Sequence, residues 1–258
     1  MERPRRDTKP DVRPHKVDVL EHGAAIGGEP QSMDRRLFMQ LSVYRAAPSL
    51  EPKAALSLLR GQLEAIGALA VLYRDVHDPR SIGLLTWHTL AARLVELNQA
   101  LFSTPGTEAL TLRPEFSMFG RTYSSGFEPD LHYWLIDRPQ QTVLNSEWPW
   151  AIWYPLKRKG SFEQLAPEEQ RAVLGEHARL GKTYGEQDLA HDVRLVCHGL
   201  DQHDNDFVIG LTGKELQPLS HVVQAMRKTR QTSEFIQSMG PFFLGYTEWR
   251  NAGRPPSD

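Results

Sequence analysis

A single cysteine, Cys197, leaves no partner for an intrachain disulfide and fits a reducing compartment. No apolar run approaches the roughly 18 residues that a membrane-spanning helix requires. The opening 16 residues are basic and proline-rich but lack the apolar core of a signal peptide, so the sequence predicts a cytoplasmic chain with no membrane span. Charge of one sign is lacking too: 30 Lys and Arg stand against 32 Asp and Glu, a net charge of −2, which argues against a nucleic-acid partner. No glycine-rich phosphate loop is present, and residues 210–214 lack Walker spacing, which argues against nucleotide binding. His191, Cys197, His198 and His203 form the tightest group of metal-ligating types, and their spacing matches no zinc pattern. No serine or cysteine sits in a nucleophile elbow, and Cys197 reads as a small core residue.

What is present is a globular chain, 40% apolar, long enough for one large core or two fused small domains. Residues 1–33 carry too little apolar content for a core and predict a flexible extension or wrapping arm. Residues 37–44 then alternate as a strand, and Pro52 opens a helix with apolar positions at Ala55, Leu58, Leu59, Leu63 and Ile66. Strands over 68–73 and 82–87, a helix over 89–101 burying Leu90, Leu94, Leu97 and Leu101, and a strand over 116–123 complete a βαββαβ order. A polar, proline-interrupted bridge leads to a strand over 150–154 that Pro155 should end. The order then repeats: a helix from Pro167, strands over 193–198 and 206–211, a helix over 215–228 and a last strand near 242–246. Two such units predict an α+β fold of two fused ferredoxin-like halves, packed sheet to sheet or closed into a pseudo-symmetric barrel. The expected boundaries are an extension over 1–33, an N-terminal half over 34–123, a bridge over 124–147, a C-terminal half over 148–250 and a tail over 251–258.

Residues 165–198 hold the unusual side chains. On the helix from Pro167 the less polar positions Val173, Leu174, His177, Leu180, Gly181 and Tyr184 follow the three-and-four spacing of one buried stripe, so His177 sits among apolar neighbours. On the following strand, alternation puts Arg194, Val196 and His198 on one face and Cys197 on the other. An arginine there is costly unless something anionic meets it. Tyr154 lies in the aromatic run 148–154. Each of these residues has a plain structural explanation, as a core histidine, an ion-pair partner and a packing tyrosine. Together they allow a tetrapyrrole pocket, which needs one neutral histidine, apolar walls and a polar group on the open side.

Five motifs resemble those of the chlorite dismutase-like heme proteins, a family that includes bacterial coproheme decarboxylases. They are Trp153-Tyr154-Pro155-Leu156-Lys157-Arg158; Pro167-Glu168-Glu169 with Glu176-His177; His198-Gly199-Leu200-Asp201 through Asp206-Phe207; Met226-Arg227; and Gly240-Pro241-Phe242-Phe243-Leu244-Gly245. The resemblance implies a heme b cofactor with His177 as its iron ligand, Arg194 as the distal arginine that orients a small oxidant such as chlorite or peroxide, Tyr154 as a further catalytic residue that lies with Arg227 near the propionates, and Arg158, in place of a usual lysine, as a further cofactor-binding residue. It also implies a homo-oligomer, usually of five subunits. A count from residues 199–201 would place Asp192 in the distal position instead of Arg194. Gln231 falls where chlorite-decomposing members carry the glutamate that accepts a hydrogen bond from the ligating histidine, and Phe162-Glu163 falls where they carry a tryptophan pair. In the coproheme decarboxylases the porphyrin is the substrate and the tyrosine matching Tyr154 forms a radical, although an arginine matching Arg194 is uncommon there. A heme-dependent oxidoreductase, a coproheme decarboxylase and a non-catalytic heme-binding member are the three readings.

Overall fold

The computed structural model describes residues 17–253. Strands β1 (Glu21–Ile26) and β2 (Glu29–Met33) pair as an antiparallel hairpin whose turn is Gly27-Gly28, both at positive φ. The expected flexible extension is thus corrected for residues 21–33. Lacking a core of its own, the hairpin is held by polar ties: Ala24 N donates to Glu128 O at 3.0 Å, and Arg121 Nη1 meets Glu21 Oε1 at 2.6 Å. The basic stretch over 1–16 lies outside the described residues.

The N-terminal half runs β3 (Phe38–Ala46), α1 (Pro52–Ala65), β4 (Leu69–Asp75), β5 (Ser81–His88), α2 (Ala91–Phe102), a short β6 (Leu110–Leu112) and β7 (Met118–Arg121). Leu90, expected inside, precedes the first turn of α2 and is 60% exposed, while Leu94 and Leu101 are buried. A π-helical turn, Tyr133–Asp137, then leads into α3 (Arg138–Leu144). This corrects the reading of 124–147 as a polar connection. Leu131, Leu135, Ile136 and Val143 form an apolar face that joins the main core, and Pro139 directly follows the π-helical turn, which accommodates a residue that cannot donate.

The C-terminal half runs β8 (Trp150–Arg158), α4 (Pro167–Glu186), β9 (His191–Val196), β10 (Phe207–Gly213), α5 (Leu216–Met226), α6 (Arg230–Phe235), β11 (Ile236–Met239) and β12 (Phe243–Ala252). Strand β8 continues through Pro155, contrary to expectation. The proline sits where β8 changes neighbours from β12, paired to Trp153, to β11, paired from Leu156, so its absent donor costs no ladder bond there. Strand β12 reaches Ala252, so the expected tail begins in the last strand.

Each half has its strands in the same spatial order, β7-β3-β5-β4 and β12-β8-β10-β9, the ferredoxin-like arrangement. Pairing of β4 with β12 and of β7 with β9 joins the halves edge to edge and closes eight strands into a barrel. Alternation then gives each strand one inward and one outward face. Met39, Leu41, Tyr73, Trp87, Trp153, Leu195, Cys197 and Phe243 fill the interior. Outside, Leu72 and Leu84 pack under α1 and α2, and Ile152, Tyr154, Val196 and Leu211 pack under α4 and α5. Among the described residues no helix is long and apolar enough to cross a membrane.

Candidate functional site

The outer face of the C-terminal half is a grid set by strand register. Arg194 of β9 and Tyr154 of β8 both pair with Ile209 of β10, which makes one row across three strands. The row above holds Asp192, Leu211 and Ile152; the row below holds Val196, Phe207 and Leu156. Helices α4 and α5 and the segment through α6 cover this face, so a flat apolar floor with one arginine and one tyrosine lies beneath the helix that carries His177.

On α4, Val173 and Tyr184 are buried and Leu180 is half-buried, whereas Leu174 is 38% exposed and leaves the predicted stripe. His177 is half-buried, and its Nδ1 lies 3.4 Å from Thr229 Oγ1. That hydroxyl donates to Met226 O at 2.8 Å, so it can accept from the imidazole, and the tautomer with Nδ1–H leaves Nε2 as the basic nitrogen. Thr229, not the expected Gln231, is the partner: residues two apart around a helix start do not share a face, and Gln231 is buried in the first turn of α6. Burial pulls the His177 pKa below its ordinary value, and Arg194 and Arg158 pull it further against Asp192 and Glu176. The imidazole is therefore neutral near pH 7.

Arg194 is 40% exposed and forms an ion pair through Nε with Asp192 Oδ2 at 3.0 Å. Asp192 is shared. Arg138, at the start of α3, donates to its Oδ1 at 2.6 Å and to its backbone carbonyl at 2.9 Å. Burial raises the Asp192 carboxyl, but the two guanidiniums outweigh it and hold the group below the usual carboxylate range. Both sequence alternatives, Arg194 and Asp192, thus stand on the same face. A small cleft of about 10 Å³, room for one water, is lined by Arg194, Arg138, Tyr123, Trp134 and Glu128.

Arg158 ends the tyrosine strand. Its guanidinium lies 4.3 Å from the Phe162 ring centre and 4.6 Å from that of Phe207, and its nearest carboxylate, Glu163, is 3.8 Å away. Its Nε is buried with no hydrogen-bond partner. Tyr154 is 6% exposed and stacks on Phe242 with ring centres 4.6 Å apart. Burial drives its phenol pKa above the ordinary range, Asp192 adds to this, and Arg227 opposes it. Arg227 itself is exposed just past α5. The structure therefore gathers His177, Arg194, Tyr154, Arg158 and Arg227 about one sheet face, while His198 turns outward to Asp206 at 3.2 Å.

Sequence reasoning missed Arg138, Tyr123 and Thr229. Arg138 lies on a helical segment masked by the loop-like composition of the bridge, and nothing local marks Tyr123 or Thr229 as facing the site.

A profile of the family described as Chlorite dismutase matches residues 74–248, more than half of the chain. The chain belongs to the chlorite dismutase family. A doubly substituted chlorite dismutase from Candidatus Nitrospira defluvii is 16% identical over 84% of this chain and 93% of that one, with a TM-score of 0.66. A heme-binding protein from Thermus thermophilus is 17% identical over 83% of this chain and 91% of that one, with a TM-score of 0.65. At such identities the likeness establishes the shared fold. Comparison with curated protein sequences gives no match.

The residues of this family member fit an iron porphyrin. A neutral histidine offers Nε2, the floor is apolar, and the buried, unpartnered Arg158 Nε is a donor awaiting an anion. Among the described residues no group of three or more His, Cys, Asp or Glu could hold a bare metal ion.

Proposed function

We propose that this chain binds heme b between α4 and the outer face of β8, β9 and β10, and acts there as a heme-dependent oxidoreductase on a small oxidant such as chlorite or peroxide. The observation that carries the reading is the row Arg194, Ile209, Tyr154 beneath the His177 helix. When bound, the heme supplies an iron that exchanges electrons with the oxidant. His177 would hold that iron through Nε2, with Nδ1–H turned to Thr229. A hydroxyl is a weaker acceptor than a carboxylate, so His177 donates less electron density than it would beside a glutamate. Arg194, anchored through Nε, keeps its terminal nitrogens for an oxyanion and holds a charged product in place. Arg158 and Arg227 would be the cations for the two propionates, and the apolar floor that includes Ile209 would limit the access of water.

The test is an absorption titration of purified protein with heme b and with coproheme, followed by chlorite addition at an oxygen electrode. Saturable heme b binding with oxygen release supports the reading, and its loss in His177→Ala assigns the ligand. Arg194→Ala should keep the heme and lower turnover by about 100-fold or more, as for other preorganised charges; unchanged chlorite and peroxide turnover in that variant removes Arg194 from the reaction.

A second reading, coproheme decarboxylation, is favoured by one observation: the hydroxyl of the largely buried Tyr154 carries no hydrogen bond among the described residues and has Arg227 nearby. Coproheme with peroxide would then lose two carboxyl groups as carbon dioxide, and Tyr154→Phe would stop it. A tetrapyrrole of unchanged mass excludes this reading.

A further inference from the structure

The carboxylate of Asp192 is divided between two arginines from different parts of the chain. Oδ1 belongs to Arg138 of α3 at 2.6 Å, and Oδ2 to Arg194 of β9 at 3.0 Å. Arg138 is fixed independently: it donates to the Asp192 carbonyl at 2.9 Å, and its guanidinium lies 4.8 Å from the Trp134 ring centre. No other carboxylate forms an ion pair with Arg194 among the described residues. One negative charge thus stands between two positive ones, beside the place where Arg194 would meet an anion.

We propose that Asp192 is the internal competitor for Arg194, and that Arg138 sets how much of the Asp192 charge is left to compete. This rests on the heme-binding reading of the same site. Both are positioning residues, since they act through Arg194. Opposite charges a few ångströms apart in a half-buried setting attract strongly, so removing either partner shifts the balance measurably. Without the Asp192 charge, Arg194 and Arg138 lose their shared counter-charge, and Glu128 is the carboxylate left lining the cleft. Without Arg138, the whole Asp192 carboxylate turns to Arg194 and the local charge falls by one. The two removals therefore have opposite effects on anion affinity, which simple structural damage cannot produce.

The experiment uses azide as the anionic probe, read by the Soret shift of heme-loaded protein. D192N is expected to lower the azide dissociation constant by about tenfold, and Arg138→Ala to raise it by about tenfold. Arg138→Lys, which keeps the charge, should restore a value within about threefold of the parent, as expected of a charge effect on a partly exposed pair. Shifts of the same sign in D192N and Arg138→Ala, or none in either, overturn the inference while leaving heme binding established. A second measurement needs no heme: the Nε resonance of Arg194 in the heme-free chain, assigned with Arg194→Lys, should move in opposite directions in D192N and Arg138→Ala. If no variant takes up heme, the proposed function falls, and an unmoved Arg194 resonance then overturns the charge sharing as well.

Discussion

Replacing Arg158 with methionine separates what the site costs from what it does. The guanidinium is sandwiched between Phe162 and Phe207, at 4.3 and 4.6 Å from their ring centres, with a buried Nε that has no partner. Its pKa is lowered by burial, against the pull of Tyr123, Glu163 and Asp206, so desolvation wins and the charged form is destabilised by folding. Two cation–π contacts of this kind contribute about 0.5–1 kcal/mol each, and a stranded charged donor costs about 1–3 kcal/mol. Methionine keeps the length and the packing against both rings without the charge. Arg158→Met should therefore leave the stability of heme-free protein unchanged or raise it by about 1–2 kcal/mol, which is about 2–4 °C in Tm per kcal/mol for a domain of this size. Heme affinity should fall by about 10- to 100-fold, the equivalent of one charge-assisted hydrogen bond. Thermal melts of the heme-free protein and a Soret titration give the two numbers. A stability loss above about 2 kcal/mol with unchanged heme affinity would show Arg158 to be a structural residue and refute the reasoning.

Three further outcomes follow from the same physics. His177 has a folded-state pKa below its ordinary 6.5, so the stability gained from its neutral form is complete above that pH and is lost as pH falls through the folded value; His177→Gln should flatten the acid side of a denaturation series. Cys197 is buried, donates to Asn205 O at 3.0 Å and has its thiol pushed up to about 12, chiefly by burial, so it should resist a disulfide-exchange reagent in native protein and react on unfolding; fast labelling of folded protein would contradict this. Gly210 faces the barrel interior, where an added Cβ would lie 2.5 Å from Trp153 Cη2, so Gly210→Ala should cost about 1–3 kcal/mol in urea denaturation.

Where sequence and structure part, the cause is the same each time. Residues 133–144 read as a connection because their apolar side chains are few and spaced by polar ones, but those few pack into a barrel core that exists only after closure. Pro155 breaks a strand in the local rule and not in this chain, because two neighbouring strands hand over at that point. Gln231 and Thr229 are two residues apart, and only the turn into α6 decides which of them meets His177.

By itself the sequence determined the doubled βαββαβ elements and most of their faces. Periods of two and of three to four residues are local properties, so the strand faces of Arg194 and Cys197, the helix of His177 and the doubled βαββαβ order could be read from spacing alone. Tertiary structure decided the juxtapositions. Which strand lies beside which, that Arg194 and Tyr154 share Ile209, and that Arg138 of the bridge reaches Asp192 depend on long-range register and on closure of the two halves, where burial of apolar surface from distant segments fixes positions that no local pattern encodes.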